Sequence, residues 1–261
     1  MLSEKIRLLG AGLSPSYPSE LTLKSIPTGS ELDYVGSEDF QATMLDKIFP
    51  QAIEEKVDFR KLLEIDYHWV CRGLRFLNYG PYFTTNSVFC TGCGEVSHGE
   101  YQVDLRTVGC KVLPEGFTND VVIDKSEFLE YKKDIHLSLL TIQQSIDAYN
   151  DSLFVAPDGK INRSLARMCY MIKKIGTDGT MLDPVVVKTK IQKEMSSADY
   201  EILKAKVNEL TDYGLRIGGS TICPKCGHEA TFVALVDDRF LRPTVGDLRK
   251  WAAERKSESG K

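Results

Sequence analysis

The sequence has no long hydrophobic run and no excess of basic charge, and each absence disfavours one class of protein. No apolar stretch of the 261 residues approaches the roughly 18 that a membrane span requires. Lys5 and Arg7 lie near the start without an apolar segment after them, so we expect no signal peptide and a cytoplasmic protein. The formal net charge of −4 disfavours nucleic-acid binding, which usually needs a basic surface.

The common catalytic motifs are also missing. The chain has no phosphate-binding loop, no Gly-x-Gly-x-x-Gly, no Gly-x-Ser-x-Gly and no His-Glu-x-x-His. Asp66 and Asp199 are the most suggestive carboxylates because they recur at equivalent places, yet we expect them to contact basic or backbone groups. Arg72 and Arg75, on or beside the apolar face of a predicted helix, are expected to form buried or interface ion pairs. The sequence therefore favours a non-enzymatic protein.

Four of the seven cysteines form two Cys-x-x-Cys-Gly knuckles, Cys90/Cys93 and Cys223/Cys226. Two thiolates at this spacing can reach one ion from a tight turn, and the glycine allows the backbone to turn back. In a reducing cytoplasm, paired knuckles predict one structural zinc ion (Zn²⁺) with four sulfur ligands. An iron–sulfur centre or a bare dithiol is the alternative. The other three cysteines have apolar neighbours and are expected in the core: Cys71, Cys110 and Cys169.

Four thiolates leave no open position for a catalytic water, so the predicted ion is structural. A metalloenzyme would need a missing cysteine or a further donor. His98 and His228, near the knuckles, could replace a displaced cysteine, but we expect them to be exposed or to support the ligands. His68 and His136 fall within helix and strand patterns and are expected to be structural.

The two knuckles differ by an offset of 133 residues, and the same offset aligns Asp66-Tyr67 with Asp199-Tyr200. Each half reads as strand, helices, knuckle and strand. We therefore predict an α+β fold of two pseudo-repeated helix-plus-strand halves joined by a zinc-ribbon-like four-cysteine site. The predicted units are residues 12–123, residues 124–243 and a C-terminal helix or tail, residues 244–261. Two unrelated halves that merely share a knuckle remain the alternative.

Local signals predict the helices. The first helix is expected to start at Ser37 and to end just before Pro50. The others are expected at Asp58 to Gly80, Asn162 to Ile175, Pro184 to Met195, and Ser197 to Tyr213. The tail from Glu254 to Lys261 is expected to fray.

The order of these motifs resembles the baseplate hub assembly proteins of T4-like tailed bacteriophages. The segments that carry the resemblance run from Gly12 to Pro243: Gly12…Tyr17-Pro18, Asp66 to Arg75, Asn78-Tyr79-Gly80, Cys90-x-x-Cys93-Gly94, Gly218-Gly219, Cys223-Pro-x-Cys226-Gly and Phe240-x-x-Pro243. The first knuckle departs from the family's Cys-Pro-x-Cys, which leaves the ligands intact. The segment 177–187 has no counterpart.

The resemblance implies a non-enzymatic hub component or hub-assembly factor. Its partners would be other hub or tail proteins, in the host bacterial cytoplasm during assembly or in the virion baseplate. Apolar contact residues are expected in the loop that contains Tyr79, Tyr82 and Phe83. The alternative function is a nucleic-acid-binding zinc-ribbon protein, which usually has basic loops, whereas Glu95 and Glu100 make the first knuckle's surroundings acidic.

Overall fold

The computed structural model of the chain describes residues 3–14, 16–27, 39–90, 92–94, 96–156, 159–177, 181–223, 225–233, 236 and 240–259. Helices alternate with short antiparallel strands along the described part, which confirms the α+β class.

An antiparallel hairpin and a broken helical segment come first. The hairpin pairs β1 (Ser3–Arg7) with β2 (Glu20–Lys24), and the helical segment consists of α1 (Phe40–Thr43), a π-helical turn (Met44–Ile48) and α2 (Phe49–Ala52). The start predicted at Ser37 lies outside the described residues. Pro50 was expected beyond the helix but lies in the first turn of α2. Proline is tolerated there because first-turn N–H groups have no intrahelical acceptor.

The long helix α3 (Glu64–Tyr79) begins later than predicted. Asp58 instead caps a 3₁₀ turn, Phe59–Lys61, and the chain is then extended through Leu63, which forms a β-bridge with Thr141. The helix ends at Gly80 as predicted, because its φ of +78° suits a residue without a side chain.

A hairpin of two longer strands follows α3. β3 (Tyr82–Phe89) pairs with β4 (Val96–Asp104), with an irregularity in register between Thr85 and Ser87. The next elements in chain order are β5 (Cys110–Lys111), β6 (Val121–Ile123), β7 (Ile135–Leu137), α4 (Ile142–Asn150), α5 (Arg163–Met171), β8 (Ile172–Ile175), α6 (Pro184–Glu194) and α7 (Ser197–Thr211).

The helix predicted from Asn162 to Ile175 is shorter than expected. Asn162 caps α5, but the helix stops at Met171. The next four residues form β8, which pairs with β7 in a three-stranded sheet of order β6-β7-β8. Ile172 and Ile175 are buried there, so sheet pairing and burial together override the helical pattern.

The last elements are β9 (Gly214–Leu215), which pairs with β5, the hairpin of β10 (Gly218–Ile222) and β11 (Glu229–Val233), and α8 (Val245–Ser259). The residues from Glu254 to Ser259, expected to fray, belong to α8. No helix in the described ranges combines the length and the apolar character that crossing a membrane requires.

Two clusters of buried side chains form the core, and each draws on both sides of the predicted boundary at residues 123 and 124. Ile142 and Phe240 join the cluster around β1, β2 and α3, whereas Leu63 and Ile65 join the cluster around β7, α5 and α7. The boundary itself falls between β6 and β7, which pair with each other. The two sequence halves therefore pack closely together.

Candidate metal centre

Each knuckle is the turn of an antiparallel hairpin. Cys90 and Cys93 connect β3 to β4, and Cys223 and Cys226 connect β10 to β11. The local geometry is the same in both. The N–H of the glycine after each knuckle donates to the carbonyl of the first cysteine at 2.9 Å, and its φ is +72° at Gly94 and +70° at Gly227. A left-handed glycine closes each turn, as the sequence predicted.

The two hairpins bring all four cysteines to one point, as a single four-cysteine metal site would require. Their Sγ atoms lie within 4.8 Å of one another. Cys90 Sγ is 3.6 Å from Cys226 Sγ, and Cys93 Sγ is 4.0 Å from Cys223 Sγ. Zinc–sulfur bonds of about 2.3 Å in a regular tetrahedron put the sulfur atoms about 3.8 Å apart. The spacing therefore fits one tetrahedral ion with four sulfur ligands.

The protein surroundings favour a thiolate at one ligand and a thiol at another. Backbone N–H groups of Cys93 and Gly92 donate to Cys90 and lower the pKa of its thiol to about 6. The N–H of His228 acts in the same direction on Cys226, but desolvation and the neighbouring thiols outweigh it and raise that pKa to about 12. Several thiolates this close repel one another, so a bound cation is needed to stabilise four of them.

His228, next to the second knuckle, does not belong to the group of potential metal ligands. His228 is exposed, and its ring lies against Gly92, where an added Cβ would be 2.5 Å from the ring. The carbonyl of His228 accepts from Cys223 N–H at 2.8 Å. His228 therefore contacts both knuckles without being a ligand. His98 belongs to β4, and its side chain lies outside the described residues.

The remaining cysteines lie away from the cluster. Cys71 and Cys169 are fully buried, as expected of core residues, and burial raises the pKa of each thiol. Cys110 is half-buried on β5. None of the three belongs to a group of potential metal ligands among the described residues.

The recurring aspartates bind backbone amides, as expected. Each is the third residue of its helix and is 0% exposed. Asp66 accepts from the N–H groups of Leu9 and Gly10 at 2.5 and 3.1 Å, in the loop between β1 and β2. Asp199 accepts from three N–H groups between β6 and β7, those of Leu129, Glu130 and Tyr131. Each carboxylate therefore fixes the loop of a different hairpin by hydrogen bonds to its backbone.

The two arginines differ in their contacts. Arg75 is fully buried 3.5 Å from Asp247 of α8, which confirms an ion pair. Arg72 instead donates to the carbonyl of Leu105 at 3.0 Å and lies over the rings of Trp69 and Phe76.

The expected partner-binding residues need correction. Tyr82 and Phe83 are only 2% and 5% exposed, because they belong to β3 and are covered by the rest of the chain. The Tyr82 hydroxyl donates to Glu254 of α8, and the Phe83 ring packs against Phe240. Tyr79 is half-buried under Arg75. These aromatic residues do not form an exposed surface in this chain.

Sequence reasoning missed the strands that precede the knuckles and the docking of α8. Thr244 and Asp247 form reciprocal hydrogen bonds at the start of α8, and a Thr-x-x-Asp pattern was available in the sequence as a sign of this helix start. The pairing of Asp247 with Arg75 spans 172 residues and has no local signal.

Comparisons with known proteins identify no relative. No family model, no curated protein and no solved structure matches the chain.

Proposed function

We propose that the chain is a non-enzymatic component or assembly factor of the baseplate hub in T4-like tailed bacteriophages, built around one structural zinc ion. The observation that carries the metal part is the convergence of four cysteine sulfurs at tetrahedral spacing. The phage part is supported by the order of motifs along the sequence. The proposed partners are other hub or tail proteins, met in the host cytoplasm during assembly or in the finished tail.

The ligand set supports a structural role for the ion. Zinc bound by four thiolates is coordinatively saturated and has no position for a water or substrate. Cys90 and Cys223 are buried, so two of the ligands are shielded from solvent. In this arrangement the ion joins two hairpins that are far apart in sequence, and its binding free energy contributes to folding.

We also infer that the two halves arose by duplication of one unit. The features shared by both are an antiparallel hairpin, a later helix whose third residue is an aspartate that holds the hairpin loop, and a cysteine knuckle in the following hairpin. The second strands of the two hairpins, β2 and β7, correspond as well. Leu23 of β2 bridges to Ile53, and Leu137 of β7 pairs with Ile172 of β8. On this inference β6 belongs to the second unit, which would then begin before the predicted boundary at residue 124.

The metal proposal can be tested on the purified protein. Elemental analysis is expected to give one zinc per chain, and X-ray absorption is expected to show four sulfur neighbours at about 2.3 Å. Nitrogen or oxygen in the first shell, or iron in place of zinc, would contradict the proposed site.

The phage role requires a separate experiment. A tailed phage in which this gene is interrupted is complemented with the wild-type chain or with the Cys90→Ser, Cys223→Ser variant. Electron microscopy is expected to show complete tails only with the wild-type chain. A Cys110→Ser variant controls for loss of any thiol. Normal tails without the gene would exclude the hub role while leaving the metal site untouched.

A further inference from the structure

The C-terminal helix α8 is held on the first zinc hairpin by its polar inner face. Asp247 is 1% exposed and lies 3.5 Å from the guanidinium of Arg75. Its carboxylate also accepts from Thr84 Oγ1 at 2.6 Å and from Gln102 Nε2 at 3.1 Å. A buried carboxylate with three partners outside its own helix fixes the first turn of α8 against α3, β3 and β4.

Two more residues on the same face continue this attachment. Trp251 lies on Gly80, where an added Cβ would be 2.5 Å from the indole ring. Glu254 accepts from the Tyr82 hydroxyl and pairs with Arg106 at 3.4 Å. Asp247, Trp251 and Glu254 are spaced by four and three residues, so they form one helix face. The orientation of α8 is therefore defined from its first turn to its third.

The opposite face of α8 is exposed and carries an apolar stripe. Val245 is 64% and Leu248 is 39% exposed, and Ala252 continues the stripe one turn later. These residues are spaced by three and four, the pattern of a helix that packs against another helix. Arg249 and Lys256 are exposed on the same side.

Charge is segregated between the two faces. From Val245 to Ser257 the helix has two acidic residues, and both point inward to arginines, as described for Asp247 and Glu254. Of the four exposed basic residues in the same stretch, Lys250 donates to Gln102 and Arg255 lies over the Trp251 ring, whereas Arg249 and Lys256 lie on the outer face. The outer face is thus positive in a chain whose formal net charge is −4.

We propose that the outer face of α8, defined by Val245, Leu248, Arg249, Ala252 and Lys256, docks an acidic amphipathic helix of a partner protein. Charge complementarity selects an acidic partner, and the apolar stripe selects one with its own apolar stripe. A phosphate backbone would leave the apolar stripe unused. A bilayer would favour an outward aromatic anchor, whereas Trp251 faces inward. The inference is independent of the zinc site and of the phage role.

The test uses the full chain and a synthetic helical peptide as the probe. The peptide contains three repeats of Glu-Leu-Glu-Glu-Ala-Leu-Glu; one control peptide has Lys for each Glu, and another has Ser for each Leu. Binding is measured by fluorescence anisotropy at about 50 and about 500 mM salt. Only the first peptide is expected to bind, with Kd at least about tenfold weaker at high salt.

Matched variants locate the surface. Leu248→Ser with Arg249→Glu is expected to weaken binding at least about tenfold, because it removes one apolar and one charged contact. Val186→Ser with Lys193→Glu changes an exposed apolar and an exposed basic residue on α6 and is expected to leave Kd unchanged. Circular dichroism checks that both variants fold, and all four substituted side chains are solvent-exposed.

Three results would overturn the proposal. One is equal loss in both variants, and another is equal binding of the acidic and basic peptides. The third is tighter, α8-dependent binding to vesicles rich in phosphatidylserine or to duplex DNA, which would assign the face to a membrane or to nucleic acid.

Discussion

The contact between His228 and Gly92 makes the geometry of the cluster sensitive to a single methyl group. Gly92→Ala would place a Cβ 2.5 Å from the His228 ring, so one knuckle must shift against the other. We expect the affinity for zinc to fall by about tenfold, since sulfur positions displaced by tenths of an ångström strain the metal–sulfur bonds. Competition with a chromophoric chelator measures this affinity.

A second substitution separates this contact from a general effect on folding. His228→Gly removes both the ring and the Cβ, which would lie 2.5 and 2.7 Å from the new methyl group, so Gly92→Ala with His228→Gly is expected to recover most of the lost affinity. If the double variant binds zinc no better than Gly92→Ala alone, the backbone and not the ring contact limits this position.

The Asp66 carboxylate is the second point where one residue controls a larger element. Asp66→Asn keeps the shape but turns an acceptor into a donor that faces the N–H groups of Leu9 and Gly10. The free energy of unfolding is expected to fall by about 2 kcal/mol, because buried donors lose their partner. Urea denaturation measures it. Asp58→Asn, at an exposed 3₁₀ cap, is expected to cost well under half as much.

At this scale the sequence predicted what a local pattern encodes. The ligand cysteines and the left-handed glycines follow from knuckle chemistry, and the recurrence of Asp66 and Asp199 marked them as special. The backbone partners of Asp66 are 56 and 57 residues away, and Tyr17, whose hydroxyl also donates to it, is 49 residues away, so its loop could not be identified from local sequence. Tyr82 and Phe83 looked like exposed loop residues because the strand and the helix that cover them were not foreseen.

At the scale of elements, helix starts were predicted better than helix ends. The N-cap Asn162 and the first-turn proline Pro184 act within one helical turn, so these helix starts can be recognised from the neighbouring residues alone. The end of α5 depends on β8, whose residues pair with β7 more than thirty positions upstream. Pro50 was misplaced because proline signals either a helix end or a first turn, and only the preceding π-helical turn distinguishes the two.

An ion pair between α3 and α5 should make stability depend on pH. Glu64 is 13% exposed and pairs with both terminal nitrogens of Arg167, while Ser145 of α4 donates to it at 2.8 Å. Burial alone would raise the pKa of Glu64, but Arg167 outweighs burial and lowers it to about 2. A depressed folded-state pKa stabilises the protein above the ordinary value of 4.5, and this contribution is lost as pH falls from 4.5 towards 2.

Glu64→Gln is therefore expected to lower the free energy of unfolding by about 1–2 kcal/mol at neutral pH, a value reduced for the partial exposure of Arg167. The difference from wild type should shrink as pH falls from 4.5 towards 2, since the unfolded chain is protonated first and the folded carboxyl only near pH 2. Urea titrations at several pH values measure it. Glu201→Gln removes an exposed pair with Lys204 and should change little. A difference that persists at pH 2 would exclude the ion pair as its cause.

At the scale of the whole molecule, two of the contacts between the sequence halves differ in what holds them together. The bridge between Leu63 and Thr141, with hydrogen bonds on both sides, ties the start of α3 to the start of α4. The sulfur cluster ties the hairpin of β3 and β4 to that of β10 and β11. The first contact rests on packing and backbone hydrogen bonds, whereas the second would rest on the proposed ion. Removing the metal should consequently loosen one end of the molecule more than the other.

Metal removal gives the last prediction. A ligand that binds only the folded state stabilises it by about 4 kcal/mol at a thousandfold excess over its Kd, so the melting temperature should rise with free zinc. Calorimetry in zinc buffers measures this dependence, and Cys110→Ser should retain it, whereas Cys93→Ser should lose most of it. Hydrogen exchange of the apo chain should increase first in β10 and β11 and leave α5 and α7 protected, because those helices pack in a core cluster that contains no ligand cysteine. Uniform loss of protection would mean that the ion holds the entire fold and not one junction within it.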